Sequence, residues 1–323
     1  MSGPDLLDAI RTASAAVMQR ARSIRVDEDG LTRLCDELAG TEPTRAGLDP
    51  AHHLAGDSDD ATLAYVVTLD ALNFGSGWFP ELRKRPGLSG YLSMATSLKE
   101  HFEAEGPWNV RQLREMDATS CARLFGQTDA GDAADELMAL FATALRDLSA
   151  WLEQRFGGRF EGPVEEAGGS AARLAQLLAE MPLYRDVSRY GELEVPFYKR
   201  AQLTAADLSA AFDGRGAGAF RDLDRLTCFA DNLVPHVLRC EGVLVYVPEL
   251  ARRIDAGEGI ASGSPEEVEI RAAAVHTVER CVAELSRRGV RWRASDLDFL
   301  LWNRGQRPEI KAHPRHRTRT TFY

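Results

Sequence analysis

Apolar residues recur at intervals of three and four along most of this chain, a spacing that places them on one face of an α-helix. The clearest example begins at Ser264, a capping residue followed by Pro265 and, three positions after the cap, by Glu267. Gly289 marks the end of this helix. Strand-like alternation is confined to short stretches such as 193–197. The pattern therefore predicts a mainly α, compact multi-helix fold with at most a few short strands.

The chain length sets the domain organisation only loosely. Its 323 residues suffice for one large domain or two moderate ones. We predict a single helical catalytic unit over 1–323, with a division into two lobes, 1–157 and 170–323, as the alternative. The stretch 158–169 is rich in glycine, proline and glutamate, so it is the candidate linker between such lobes.

Charge, cysteines and hydropathy narrow the classes of function. The formal net charge of −10 argues against broad nucleic-acid binding, which needs a basic face. Five scattered cysteines without a CxxC pair indicate a reducing compartment and no structural zinc. No apolar stretch approaches the roughly 20 residues that span a bilayer, and the start lacks the pattern of a secretory signal. We expect a cytoplasmic protein that does not bind membranes.

The segment from Asp222 to Leu238 has helical apolar spacing, and it contains an unusually placed acid. Asp231 lies off the apolar stripe, but its neighbours one turn away are mostly apolar or small. Pro235 would remove the helical hydrogen bond to the carbonyl of Asp231 and bend the helix there. An acid in such surroundings either caps or pairs with part of the structure or takes part in chemistry. Spacing alone favours the structural role.

The segment from Thr62 to Phe74 is apolar almost all round, which is typical of a buried helix. Glycines and aromatics follow it, among them Trp78. One interpretation is a packed turn whose aromatic rings belong to the core. The other is a wall for a flat ring, with Asn73 offering both a hydrogen-bond donor and an acceptor. The sequence favours neither.

Two further predicted helices carry charged residues on their apolar sides. Arg271 leans toward the core, and a buried arginine needs an anion. Glu267, one turn earlier, would satisfy it within the protein, whereas a ligand phosphate would make Arg271 part of a binding site. The segment 296–302 places Asp298 and Trp302 one turn apart.

Several blocks in the same order carry a resemblance to a known family. They are LDALNFGSGWFP (69–80), VPFYKRAQLTAADL (195–208), GAFRDLDRLTCFADNLVPHVLRCEGVL (218–244), GSPEEVEIRAAAVHTVE (263–279), DLDFLLWNRGQ (296–306) and HPRHRTRTTFY (313–323). Together they resemble the queuosine salvage protein family. The likeness covers most of the chain and is weakest around 125–170.

The resemblance implies a fold similar to helical DNA glycosylases and a reaction without a metal or other cofactor. That reaction is hydrolysis of the N-glycosidic bond of queuosine 5'-monophosphate, which releases queuine and ribose 5-phosphate for queuine salvage and tRNA modification. The family's catalytic acid falls in the Phe-Ala-Asp block, which makes it Asp231 here. Whether Asp231 would act as nucleophile, base or electrostatic stabiliser stays open.

The implied reaction suggests how the base would be held. Positive charge develops at C1' and O4' of the sugar, so a carboxylate in a dry site would stabilise it. Queuine is a 7-deazaguanine, and a carbon replaces the ring nitrogen that usually accepts a proton. Hydrogen bonds to the other ring edges must therefore assist departure, and we assign Asn73 and Asp298 to them, with Asp298 as a carboxylate acceptor. The candidates for the flat walls are Phe74, Trp78 and Trp302.

The 5'-phosphate calls for cations, and the sugar for polar partners. Lys199, beside Tyr198, is the first candidate for the phosphate, and Arg271 is the second. His236 either lines the pocket from the side or is a satisfied core histidine. Glu269 would pair with a basic group or a ribose hydroxyl.

Two other functions remain open at this stage. One is a non-catalytic module that binds a nucleoside or nucleotide in the same pocket. The other is a glycosylase acting on nucleic acid. The acidic net charge counts against the second, because binding a phosphate backbone needs many cations on one face, although the C-terminal residues are basic. We expect a small nucleotide as the partner, without stable nucleic-acid binding.

Overall fold

The structure, a computed structural model, describes residues 5–43, 47–54, 56 and 58–323. These residues form two units, each built from separate stretches of the chain. The first unit contains the described residues within 1–46, together with Asp186–Lys199 and Asp224–Arg319; the second contains those of Gly47–Arg185, Arg200–Leu223 and Thr320–Tyr323. The stretch 158–169 lies within the second unit and carries a short helix. A single catalytic unit, with or without a linker there, stays a prediction.

The first unit combines helices with two small antiparallel sheets. Its helices are α1 (Leu6–Met18), α2 (Glu28–Ala39), α11 (Val234–Cys240), α12 (Pro248–Asp255), α13 (Pro265–Arg287), α14 (Ala294–Arg304) and α15 (Pro308–Lys311). Its strands are β1 (Ile24–Val26), β2 (Val187–Tyr190), β3 (Leu193–Pro196) and β4 (Leu244–Tyr246). Strand β1 pairs with β4, placing Ile24 opposite Tyr246, and β2 pairs with β3 in a hairpin.

Helix α13 is the centre of the first unit. It packs against α1, α2, α11 and α14, and it also contacts β1 and β2. Ser264 caps it by accepting the backbone N–H of Glu267, as its sequence pattern predicts. Gly289, just beyond its end, has a φ of 82°, a conformation that suits glycine. Because so many elements meet α13, its side chains on several faces are buried.

The second unit is helical. Its helices are α3 (Asp59–Ala71), α4 (Gly90–Glu105), α5 (Val110–Glu115), α6 (Ala118–Leu124), α7 (Asp132–Phe156), α8 (Gly162–Ala167), α9 (Ala171–Leu178) and α10 (Lys199–Ala211). The first residue of α10, Lys199, is assigned to the first unit, and the rest of the helix belongs to the second. The long helix α7 packs against α3, α5, α6 and α8. Helix α3 is buried from Thr62 to Ala71, which confirms the prediction from its all-round apolar sequence.

The predicted fold class is confirmed. The described residues are 59% helical, and they contain only four short strands. None of the helices in the described part of the chain has the length and apolar content needed to cross a membrane.

The prediction of one helix from Asp222 to Leu238 with a kink at Pro235 is wrong. A short 3-10 helix covers Leu223–Arg225, irregular chain follows, and α11 begins only at Val234. Pro235 lies in the first turn of α11, where its missing N–H costs nothing and its fixed φ suits the helix. The proline therefore begins a helix and does not bend one.

Candidate active site

Asp231 lies in the irregular chain just before α11 and caps that helix. Its Oδ1 accepts the backbone N–H of Leu233 at 2.7 Å and that of Val234 at 3.0 Å. Such N–H groups have no partner inside the helix, so the carboxylate satisfies them. Oδ2 accepts no hydrogen bond from the described residues, and the side chain is only half-buried. The hydrogen bonds to Oδ1 thus fix the orientation of the carboxylate.

Asp298 is a buried second acid on α14. Its Oδ1 accepts the backbone N–H of Phe229 at 2.8 Å and the thiol of Cys228 at 3.1 Å. Burial, and then the negative charge of Asp231, raises the pKa of Asp298 to about 8, although these hydrogen bonds and Lys199 act in the opposite direction. Asp298 is therefore mostly protonated at neutral pH, and a protonated carboxyl group can donate a hydrogen bond where a carboxylate can only accept.

Arg271 is fully buried on α13 and forms a two-pronged ion pair with Asp186. Nη1 lies 2.8 Å from Oδ1 and Nη2 lies 2.6 Å from Oδ2 of that residue. Nε donates to the carbonyl of Ala230 at 2.9 Å, next to Asp231. Glu267 lies 3.7 Å from Nη1. Asp186 is thus the main internal anion, and phosphate binding by Arg271 stays a prediction.

Lys199 and Tyr198 are held by the same Asp186. The carbonyl of Asp186 accepts the N–H of Phe197 at 2.9 Å and that of Tyr198 at 3.3 Å, and its Oδ2 accepts the N–H of Lys199 at 3.1 Å. Tyr198 has a φ of 48°, which non-glycine residues seldom adopt. The Lys199 side chain is buried, and its charge acts on Asp298.

Glu269 and His236 have internal partners. Glu269 accepts the N–H of Arg22 at 3.1 Å, the N–H of Ser23 at 2.7 Å and the hydroxyl of Tyr190 at 2.7 Å. It therefore joins three parts of the first unit. The Nε2 atom of His236 lies 3.1 Å from the carbonyl of Ile310, and burial lowers the pKa of this histidine. Roles for these two residues at the substrate stay predictions.

Arg315 is a cation near Asp231 that the sequence did not single out. Asn232 donates through Nδ2 to the carbonyl of His316 at 3.4 Å, which places this segment beside the one holding Asp231. Burial lowers the pKa of Arg315, and the charge of Asp231 opposes that shift. Arg315 is half-buried and has neither a hydrogen bond nor an ion pair among the described residues. A cation in such a place suits an anionic ligand.

Three predicted residues lie in the second unit. Asn73 follows α3, with its Nδ2 3.5 Å from Oδ1 of Asp70. Phe74 is 2% exposed and meets the ring of Phe141 edge-on at a centroid distance of 5.1 Å. Trp78, also 2% exposed, donates from Nε1 to Glu136 at 2.8 Å. Both rings belong to the core of this unit, and their contact with a substrate base stays a prediction.

Residues 52–323 match a family described as queuosine salvage protein. The chain belongs to the queuosine salvage protein family. It is 37% identical, over the full length of both chains, to a Sphaerobacter thermophilus protein named queuosine 5'-phosphate N-glycosylase/hydrolase. Proteins of the same name from Bos taurus and Dictyostelium discoideum are 30% and 28% identical; the alignments cover 97% and 98% of this chain and 98% and 99% of those proteins.

All the predicted site residues lie within the part that matches the queuosine salvage protein family. In the first unit, Asp231, Asp298 and Lys199 interact through their charges, and Arg271 binds the carbonyl that precedes Asp231. Trp302 is half-buried, one turn after Asp298 on α14. In the part of the chain that the structure describes, no three His, Cys, Asp or Glu side chains are placed to hold a metal ion.

Sequence reasoning missed Asp186 and Arg315. Asp186 stands far from Arg271 in the sequence, and no local pattern links the two. Arg315 lies among the basic residues of 304–319, which resemble a solvated surface. The one signal in the sequence is the aromatic pair Phe322 and Tyr323, since aromatic residues favour burial over a solvated surface. His316, Thr318 and Tyr323 are indeed buried.

Proposed function

We propose that this chain hydrolyses the N-glycosidic bond of queuosine 5'-monophosphate and releases queuine and ribose 5-phosphate. The family match over residues 52–323, together with relatives that carry the corresponding name, supports this reaction. The acid pair of Asp231 and Asp298 adds a chemical argument. A buried acid whose pKa is raised to about 8, with a second carboxyl group close by, suits acid–base work at a glycosidic bond.

Asp231 is the proposed catalytic carboxylate. As the bond between C1' and the ring nitrogen breaks, its electrons leave with the base and positive charge develops on the sugar. The Oδ2 atom of Asp231 faces this charge and takes a proton from the attacking water, whose hydroxyl ends on C1'. The capping bonds on Oδ1 hold the carboxylate in one orientation, so little reorganisation accompanies the reaction.

Asp298 is the proposed proton donor to the departing base. The base of this substrate has a carbon where a purine would accept a proton, so the donor must act at another polar atom of the ring. A protonated Asp298 supplies such a donor at neutral pH. The base leaves with the proton of Asp298, and the proton of the attacking water is on Asp231. Asp231 then releases this proton to solvent and Asp298 takes one up, so the overall reaction consumes one water, restores both acids and needs no cofactor.

Lys199 and Arg315 are the proposed phosphate ligands. Both carry positive charge that acts on one member of the acid pair, Lys199 on Asp298 and Arg315 on Asp231. A nucleotide phosphate lies only a few bonds from C1', so cations close to these acids are in the right region for it. Binding the phosphate would also supply the anion that Arg315 lacks among the described residues.

The proposed partner is therefore a small nucleotide, and we propose the cytoplasm as the compartment. The five cysteines are free thiols, which fits a reducing environment. The acidic net charge of −10 gives no support to stable nucleic-acid binding.

Mass spectrometry of queuosine 5'-monophosphate incubated with the protein tests this function. Asp231→Asn is the inactive variant, and Asp224→Asn is the matched control, because Asp224 is an exposed acid of the preceding 3-10 helix. We expect wild type and Asp224→Asn to release free queuine, and Asp231→Asn to release none. Tight binding without release by any of the three would favour a nucleotide-binding module. Release only from an oligonucleotide would favour a nucleic-acid glycosylase.

A further inference from the structure

Asp186 contacts the chain segment that carries Lys199 and the side chain of Arg271. Its carboxylate accepts hydrogen bonds from both terminal nitrogens of Arg271 and from the backbone N–H of Lys199. Its carbonyl receives the N–H groups of Phe197 and Tyr198. With 2% of its surface exposed, Asp186 is shielded from water, so these bonds are not screened.

Arg271 extends this connection to the segment that carries Asp231. Its Nε donates to the carbonyl of Ala230, which immediately precedes Asp231. The guanidinium also stacks on the ring of Phe197, with Cζ 4.0 Å from the ring centroid. The guanidinium therefore contacts Asp186, the carbonyl of Ala230 and the ring of Phe197 at the same time. Because the guanidinium is planar and rigid, it fixes the directions of these contacts relative to one another, which a lysine ammonium cannot do.

We infer that Asp186 and Arg271 are positioning residues. They fix the position of Lys199, the proposed phosphate ligand, relative to Asp231, the proposed catalytic acid. The inference rests on the proposed function, and it assigns a task to a buried ion pair outside the reacting groups. The chain from Lys199 through Asp186 and Arg271 to Ala230 consists only of hydrogen bonds of 2.6 to 3.1 Å.

The backbone conformation of Tyr198 supports this inference. A left-handed φ of 48° in an aromatic residue costs free energy, and it persists only where neighbouring contacts enforce it. The carbonyl and carboxylate of Asp186 bind the backbone N–H groups on and around this residue, from Phe197 to Lys199. Strain is thus located directly beside Lys199, where it sets the direction in which the chain presents that cation.

Steady-state kinetics of Asp186→Asn and Arg271→Lys test the inference, with queuosine 5'-monophosphate as substrate and queuosine as a phosphate-free competitive inhibitor. Asp186→Asn weakens the hold on Lys199, so we expect KM for the monophosphate to rise about tenfold while Ki for queuosine changes little. Arg271→Lys releases the carbonyl of Ala230, so we expect kcat to fall between about tenfold and 100-fold. The double variant should lose less than the product of the two effects, since the residues act as a unit.

Arg304→Lys is the matched control. Arg304 is also a buried arginine, and it bridges Glu37 at 2.7 Å and Glu241 at 3.1 Å. A merely structural role for the Asp186–Arg271 pair predicts that all variants lower Tm with equal, small kinetic changes, and this result would overturn the inference. If Arg271→Lys does not fold, Phe197→Leu keeps the hydrogen bonds, removes the stacked ring and should lower kcat to a smaller extent. A wild type that releases no queuine would overturn the proposed function and this inference with it. An active wild type would overturn the inference alone if Asp186→Asn weakened binding of the monophosphate and of queuosine equally and Arg271→Lys left kcat unchanged.

Discussion

The carboxyl group of Asp298 accepts the backbone N–H of Phe229 at 2.8 Å, so a buried acid is bonded to the chain two residues before Asp231. The bond holds two acids near each other in a place where both would not readily carry a charge. Burial and the charge of Asp231 therefore raise the pKa of Asp298 to about 8, so Asp298 retains its proton at neutral pH.

The first prediction is an alkaline limb in the pH–rate profile. As pH rises through about 8, Asp298 loses the proton that it would donate to the base, so kcat/KM falls. In Asp298→Asn we expect this limb to disappear and the activity at neutral pH to drop by about 100-fold or more. Queuine release measured from about pH 6 to about pH 10 checks this. A limb of unchanged position in Asp298→Asn would show that another group titrates.

The second prediction concerns stability. The folded protein holds the Asp298 proton up to about pH 8, whereas an unfolded aspartate releases it near pH 4. The stability linked to this group is complete below about pH 4 and is lost as pH rises through about 8. Asp298→Asn has no proton to lose, so its Tm should exceed that of wild type by several degrees at about pH 9 and by little near pH 4. Thermal scans across this range, with Asp224→Asn as the exposed control, would detect the trend.

The third prediction separates the two tasks of Asp231. Asparagine retains an oxygen that can accept the N–H groups of Leu233 and Val234, whereas alanine does not. Asp231→Ala should lose about 1 kcal/mol of unfolding free energy through loss of the helix cap, and Asp231→Asn should lose much less. Both should lack glycosidase activity. Urea unfolding provides the comparison, and equal destabilisation by the two variants would contradict the capping role.

The fourth prediction tests the phosphate cations. Lys199→Ala and Arg315→Ala should each raise KM for queuosine 5'-monophosphate by about tenfold or more, while Ki for queuosine stays nearly constant. Arg317→Ala is the control, because Arg317 is exposed and only two positions from Arg315. If the two substitutions weakened binding of the monophosphate and of queuosine equally, these cations would not be phosphate ligands.

The fifth prediction is that Glu269 stabilises the fold and does not bind the sugar. Its carboxylate accepts three hydrogen bonds, from Arg22, Ser23 and Tyr190, and glutamine offers only one oxygen for them. Glu269→Gln should lower the unfolding free energy by about 2 kcal/mol and leave kcat and KM within about twofold at a temperature where the variant is folded. A selective loss of kcat would instead support contact with a ribose hydroxyl.

The helical architecture was predictable because local patterns determine it. The cap at Ser264 and the stop at Gly289 mark the ends of a helix without reference to the rest of the chain. The segment around Pro235 was not predictable in this way, since proline both kinks helices and begins them. The decision there depends on whether a side chain such as Asp231 caps the new helix, which is a matter of tertiary structure.

The candidate site was predictable only in part, for a related reason. Asp231 and Asp298 stand in recognisable sequence blocks, so their types and positions could be named. The raised pKa of Asp298 could not, because it arises from burial and from a neighbour distant in sequence. The pairing of Asp186 with Arg271 likewise appears only once β2 is placed against α13.

The pairing of Ile24 with Tyr246 bears on how the chain is made on the ribosome. Strand β1 emerges early, but its partner β4 is synthesised more than two hundred residues later. At a translation rate of about 5–20 residues per second, on the order of ten seconds or longer passes between the synthesis of β1 and that of β4. The edge of β1 has no partner during this time. Such edges invite association between nascent chains. Expression of this protein should therefore depend on chaperones that shield its N-terminal part, and slower translation should lower the yield of active enzyme.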